Sequence, residues 1–443
     1  MLPRDRQSVE RYLARHAEPE AREVLPGTAT WSQVLVVPVF DESADFLQGY
    51  RDALKAAPGR VLVVVVVNAP AHASIAQQAA NLSLWCALGA PGAGDPRNEP
   101  PIRLVASDVA DLVLVDRSSP SRLLPPGQGV GLARKVGLDL ALSLYACGRV
   151  ESPALAWSDA DATLPRGFFE AVGAHGDAAI VAAPYRHLGT SDSELERATC
   201  AYELWLRYYV LGLHHAGSPY ALHTIGSTLC TPALAYAQVC GVPKRTAGED
   251  FHIVNKGLKV GHGIRLRGDP VLLKPRFSER VLFGTGPAVR RISHGLTGES
   301  SFELLHPQVF DVLAQVQRGL RQIASDGSVA GFGSVLGSLS GVARQVVEGF
   351  FSRTRLLDKI DVAVSQCRSR EAAWRRLCDN FDALQTLRLI HRLRDGGYGR
   401  RPWREALSEA PFVGREFADL EAARAWAEGA EAGLPGRVGP SVS

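Results

Sequence analysis

Long apolar runs are missing from this 443-residue chain. No stretch approaches the roughly 18–20 apolar residues needed to cross a bilayer, which speaks against membrane-bound polymer synthesis. The N-terminus, Met1-Leu-Pro-Arg-Asp-Arg-Gln-Ser-Val-Glu10, carries no apolar signal segment, so a cytoplasmic location is expected. Cysteine is sparse and unpatterned: Cys86, Cys147, Cys200, Cys230, Cys240, Cys367 and Cys378 are odd in number and have no Cys-x-x-Cys spacing. Reduced thiols, not a disulfide framework, follow from that. Net charge is only +3, so nothing in the balance calls for a nucleic-acid partner. A P-loop is absent for want of Gly-Lys-Ser/Thr, and there is no internal repeat. What remains is ordinary for a folded protein: 46% hydrophobic and 21% charged residues, with a length that suggests two or three domains.

Against that plain background, residues 154–163 stand out. Ala-Leu-Ala-Trp-Ser-Asp-Ala-Asp-Ala-Thr reads as a buried strand that ends in two carboxylates, Asp159 and Asp161, one residue apart. A buried charge without a partner is costly, so acids at a strand end suggest a bound cation or an opposing charge. Mg²⁺ and Mn²⁺ take oxygen ligands, and Mg²⁺ is commonly held by one or two carboxylates plus substrate phosphates. A strand followed by an acidic turn, with no metal, is the plain alternative.

Two further strands converge on the same place. Val34–Phe40 is a short apolar run ending in Asp41-Glu42, and Val61–Val67 is closed by Asn68-Ala-Pro70. Continuous rather than alternating hydrophobicity suits parallel strands covered on both faces. Residues 43–57 between them can form an amphipathic helix with Phe46, Leu47, Tyr50 and Leu54 on one side. This is a βαβ unit, and ligands in such sheets sit beyond the carboxyl ends of the strands. Asp41, Glu42, Asn68 and Asp159 all fall at such ends.

Taken together these segments resemble the family 2 glycosyltransferases with the GT-A fold, over roughly residues 32–290 and in matching order. Pro38-Val-Phe-Asp-Glu42 is similar to that family's first strand. Asn68 falls where the family usually has an Asp that meets the nucleotide base. Gly129-Val-Gly-Leu-Ala-Arg-Lys-Val-Gly137 resembles its Gly-x-Gly-x-Ala-Arg-Asn-x-Gly segment, with Lys135 in place of Asn. Asp159-Ala-Asp161 looks like the metal-binding Asp-x-Asp, and Thr163-Leu-Pro165 matches its usual sequel. Gly248-Glu-Asp250 resembles the pair whose Asp is the catalytic base in inverting members. The Gln-x-x-Arg-Trp of processive synthases is absent after Asp250.

The resemblance implies a mixed, mostly parallel α/β sheet flanked by helices and a metal-dependent, non-processive transfer of one sugar from a nucleotide-sugar to a hydroxyl acceptor. It puts Mg²⁺ or Mn²⁺ on Asp159 and Asp161, and the donor on Pro38, Phe40, Asp41, Glu42, Asn68, Arg134 and Asp159. Asp250 is then the base, with Glu249 beside it, if the transfer inverts configuration. Local chemistry offers blander readings. Gly127–Gly131 either cradles a phosphate or simply caps a helix. Acids at 249 and 250 suit any first helical turn. His252, His262 and His294 are candidates for a third metal ligand, each more often structural. Arg276, Ser278 and Arg280 could meet an anionic acceptor or the leaving diphosphate, or form a solvated loop.

The chain divides on this reading into an N-terminal helix and linker (1–31), a catalytic domain (32–299), an α-helical accessory domain (300–433) and a disordered tail (434–443). A breaker-rich loop covers 89–101. The Arg-rich helical segment is expected to shape the acceptor site or a homo-oligomer contact. Two rival functions share the features: a nucleotidyltransferase acting on sugar phosphates, and a catalytically silent nucleotide-sugar-binding protein. The first usually opens on a Gly-rich basic segment after its first strand, where this chain has Phe40-Asp41-Glu42.

Overall fold

A computed structural model describes residues 3–89, 101–276, 290, 292, 302–339 and 341–440. Ser278, Arg280, His294 and most of residues 89–101 lie outside the described residues. The chain forms two compact units, Met1–Gly189 with Thr224–Pro287, and Thr190–His223 with Ala288–Ser443.

In chain order the first unit begins with α1 (Pro3–Arg15), β1 (Gln33–Val39), α2 (Arg51–Ala56), β2 (Val61–Asn68) and α3 (Ile75–Leu88). It continues with β3 (Ile102–Val105), β4 (Asp111–Arg117), α4 (Gly129–Ala146), β5 (Ala154–Trp157), β6 (Ala162–Thr163) and α5 (Phe168–Gly173). Next come β7 (Ile180–Ala182) and β8 (Tyr185–His187). Helix α6 (Ser193–His215) belongs to the second unit, after which β9 (Leu229–Pro232), α7 (Ala233–Gln238), α8 (Glu249–Val260), β10 (Gly263–Arg265) and β11 (Val271–Leu273) complete the first. Its strands lie in the order β10-β7-β9-β5-β1-β2-β4-β3. Strands β5, β1, β2 and β4 are mutually parallel, whereas β9 and β3 run against their neighbours. This is the mixed, mostly parallel sheet that the sequence pattern predicts.

Every residue of β1 and β2 is buried, as their unbroken apolar runs require. Each such valine contributes roughly 1.5–3 kcal/mol of burial. Helix α4 lies close on this layer because Gly137 has no Cβ: one placed there would stand 2.3 Å from Val36 Cγ1. Pro38 is tolerated within β1 for a reason of register. Pairing of β1 with β5 stops at Val36 and Trp157, where Ser158 N–H donates to Val36 O at 3.0 Å. By the alternation of a parallel strand, position 38 would offer its N–H on that same side, where no ladder continues.

A second, smaller sheet in the order β6-β11-β8 carries the segment after Asp161 against the segment before Arg276. Leu273 pairs with Ala162, and Lys274 N–H donates to Asp161 O at 3.0 Å. The helix expected over 43–57 divides into a 3-10 segment, Ala44–Tyr50, followed by α2. Its tight packing explains the change, because a Cβ on Gly49 would meet Ala162 O at 2.5 Å.

The boundaries differ from those expected of the sequence. Helix α1 is part of the first unit, fixed to α4 through Tyr12 and not strung on a linker. Helix α6 falls inside the expected 32–299 segment yet packs with the C-terminal helices of the second unit. There Gly212 admits the Phe310 ring so closely that a Cβ would stand 2.5 Å from it. Arg207 of α6 is buried between Glu203 and Glu431 at 2.8 and 2.7 Å. The described remainder of this unit is mostly helical, from Gln308–Asp326 to Leu420–Ala432, with Glu303–Leu304 paired antiparallel to Arg401–Pro402. Residues Arg437–Val438 form a short strand where the composition suggested disorder.

Candidate active site

The carboxyl ends of β1, β2 and β5 share one edge of the sheet, and the predicted residues gather there by chain topology alone. After β5 the chain leaves the ladder at Ser158, whose hydroxyl donates to Ser227 O at 2.8 Å. Asp159 follows, its backbone carbonyl held by Tyr50 Oη at 2.5 Å. That tyrosine was legible only as one member of an apolar stripe. A buried phenol needs a partner, and this one fixes the acidic turn.

Arg134, projecting from α4, is the hub. Its guanidinium is 6% exposed and donates to Asp159 Oδ1 at 2.5 Å and to Glu249. Gly226 lies over the group so closely that a Cβ there would meet Nη1 at 2.5 Å. Glu249 is itself buried in the first turn of α8, behind Gly248 in the left-handed region at φ 75°. One guanidinium therefore ties the Asp159 turn to the start of α8. The sequence reading of Arg134 as a donor contact meets a side chain already engaged with two carboxylates.

Asp250, the next residue, accepts the Phe251 N–H at 2.7 Å. Burial pushes its carboxyl up to about 7, and the neighbouring Glu249 charge adds to the shift. Glu249 is raised too, burial outweighing the attraction of Arg134. Arg134 remains firmly cationic, because Asp159 and Glu249 more than offset the cost of its burial.

Arg276, which sequence alone could not tell from a solvated loop residue, reaches the other half of the cluster. It donates to Glu42 Oε1 at 2.5 Å and stands 3.0 Å from Asp161 Oδ2. Asp161 is pushed up to about 6, chiefly by burial, with Arg276 pulling the other way and Asp159 and Glu42 adding to the rise. Among these named groups five carboxylates (Glu42, Asp159, Asp161, Glu249, Asp250) face two guanidiniums.

Asp41 follows β1 in the left-handed region, φ 57°, and its N–H donates to Asn81 Oδ1 at 3.0 Å. Phe40, before it, is half-buried, and Pro38 is opposite Val66 in the β1–β2 register. Asn68 is buried, with its amide donating to Val39 O at 3.0 Å and Val66 O at 3.2 Å. It braces the ends of β1 and β2 from within. Asn81 Nδ2 in turn donates to Asn68 O at 2.9 Å.

The glycine segment packs instead of opening a phosphate loop. Gly131 N–H donates to Arg245 O at 3.0 Å, and a Cβ on Gly131 would meet Pro243 O at 2.4 Å. Gly129 is as tight against Thr246 Cα, at 2.6 Å for an added Cβ. Close backbone approach is what these glycines provide.

Hard oxygen donors on Asp159 and Asp161 are of the kind that suits Mg²⁺ or Mn²⁺. Among the described residues no three His, Cys, Asp or Glu side chains converge as a ready-made cage. His262 is on the opposite edge of the sheet, just before β10 (which runs parallel to β7), and faces Asp177 Oδ2 at 3.7 Å. His252 is in the first turn of α8 with its ring edge-on to Phe251. Among the described residues no helix is long and apolar enough to cross a membrane.

Comparison with known proteins adds little. No family model matches the chain. No curated protein matches it. Among solved structures it is similar to mannosyltransferase PcManGT from Pyrobaculum calidifontis in complex with GDP-Man and Mn²⁺, at 14% identity and a TM-score of 0.32. That match covers 85% of this chain and 96% of the other, a likeness too distant to assign an activity.

Proposed function

We propose that this protein is a GT-A-type glycosyltransferase that moves one sugar from a nucleotide-sugar donor to a hydroxyl acceptor, with a divalent metal, without processivity and with inversion. The observation that carries the reading is the chain Asp159–Arg134–Glu249, which brings the Asp-x-Asp turn and the Glu-Asp pair into one hydrogen-bonded assembly. Neither motif is specific alone; their physical linkage supports a shared task.

Asp159 and Asp161 would hold Mg²⁺ or Mn²⁺, which when bound offsets the charge that builds on a departing diphosphate. Arg134 keeps Asp159 in one orientation and withdraws Glu249 from other partners. That leaves Asp250 as the carboxylate for the acceptor hydroxyl. A base whose pKa lies near neutrality can take up a proton at working pH, and burial sets Asp250 there. Asp41, Glu42 and Asn68 border the nucleoside end, Asn68 by shaping the strand ends.

Calorimetric titration with UDP and with GDP, each with Mn²⁺ and with chelator, tests the reading. Binding should require the metal, and Asp161→Ala should abolish that requirement. Equal affinity of the unaltered protein with and without chelator would sink it. A screen of nucleotide-sugars for hydrolysis then separates an enzyme from a binding protein, which would bind a donor and cleave none.

A further inference from the structure

The two arginines of the cluster are not equivalent. Arg134 is enclosed, with Gly226 against its face and a carboxylate on each side. Arg276 is 37% exposed at its side chain and stands just past the small sheet, two residues after Lys274, whose N–H is bound to Asp161 O. Its guanidinium lies between Glu42 and Asp161, 2.5 and 3.0 Å from their oxygens. A divalent ion bound through that same Asp161 oxygen would sit about 2.0–2.1 Å from it. Two cations in so small a space repel strongly. An arginine cannot yield by losing its proton, so it must move.

We propose that Arg276 holds the place of the divalent cation in the nucleotide-free protein, and that the metal enters only as Arg276 leaves Asp161. This inference rests on the glycosyltransferase reading of the site. A nucleoside diphosphate favours the exchange twice over. Its phosphates complete the ion's ligand set, and they offer the displaced guanidinium a bidentate anionic partner. Metal alone therefore binds weakly, and metal with diphosphate binds well. The competing state lowers apparent metal affinity by the fraction of molecules in which Arg276 occupies the place.

Mn²⁺ binding to the full chain, measured by electron paramagnetic resonance of the free ion, tests this without any activity assay. Arg276→Gln should bind Mn²⁺ alone about tenfold more tightly than the unaltered protein, and that gain should vanish or reverse with saturating UDP or GDP. Arg276→Lys keeps the charge but not the fork, and should gain less. Lys274→Gln removes a charge from the same segment without touching either carboxylate, and should change affinity less than about twofold. Equal Mn²⁺ affinity of Arg276→Gln and the unaltered protein without nucleotide would overturn the inference alone. So would an equal gain from Lys274→Gln, or one that persists with diphosphate, since either marks a general field effect. No Mn²⁺ binding by any of the proteins, with or without diphosphate, would remove the metal reading itself.

Discussion

Arg134 and Lys135 are consecutive residues of α4, yet they serve two buried clusters of opposite character. Lys135 donates to Asp139 Oδ2 at 2.6 Å, Tyr12 Oη at 2.8 Å and His16 O at 2.8 Å. Asp139 also accepts from the Tyr12 and Tyr236 phenols at 2.5 and 2.7 Å and from Glu18 N–H at 2.8 Å. This cluster is closed: the lysine's three donors are used, both carboxylate oxygens are served, and α1 is thereby locked to α4. The Arg134 cluster is open, with Asp159 32% exposed and Asp161 23% exposed. Burial raises carboxyl pKa values in both, at Asp139 and at Asp250. What separates the two is enclosure. A closed network fixes shape, and a partly exposed one leaves carboxylate oxygens within reach of solvent.

Asp250→Asn should produce the largest effect and strike only the open cluster. If Asp250 is the base, turnover falls roughly 10²–10⁴-fold, and donor affinity measured by calorimetry hardly changes. Turnover of the unaltered enzyme should rise with pH through about 7, because only the ionised carboxylate accepts a proton. Stability moves the other way. Between 3.8, the ordinary value, and about 7, the folded form keeps a proton that the unfolded chain has released. Stability is therefore lost as pH rises through that window, and Asp250→Asn should flatten part of the fall in urea midpoints. Near-normal turnover in this variant would reduce Asp250 to a helix-start acid.

In the closed cluster, Lys135→Met should cost about 3–5 kcal/mol of stability in urea unfolding, since it leaves Asp139 buried without its cation. Adding Asp139→Asn should recover much of the loss. A cost under about 1 kcal/mol for the single variant would mean that the network does not hold α1 in place.

The smallest effect sharpens the comparison at a residue that looks like part of the open cluster. Asn68→Asp restores the residue usual in the resembled family, but here the amide donates to two carbonyls. The swap should destabilise by about 1–3 kcal/mol, the scale for a buried group left without its partner. Improved nucleotide affinity with unchanged stability would show instead that position 68 faces the ligand.

The strands and the turn that carries the aspartates were legible because unbroken valine runs and acids at their ends are local signals. Helix α4 and the start of α8 were legible too, through apolar periodicity and paired acids. Other features depended on partners far along the chain. Gly129 and Gly131 look like a phosphate loop until Pro243–Thr246 is seen against them. Helix α6 lies inside the expected 32–299 segment without a break in composition, and its packing on Phe310 and Glu431 assigns it to the second unit. Arg276 has the local sequence of a solvated loop. Its role depends on the Leu273–Ala162 pairing, which no spacing in the sequence announces.

Pro38 has a consequence for how readily this crevice could be lost. Pairing of β1 with β5 ends at Val36 and Trp157, and the next donor of β1 on that side would be the nitrogen of Pro38, which carries no hydrogen. Were an N–H restored at position 38, the two strands could zip further, drawing Ser158 and then Asp159 into the ladder and turning their side chains to alternate faces of the sheet. The acidic turn would become strand. A single imino acid thus removes the donor that one further rung of sheet would need.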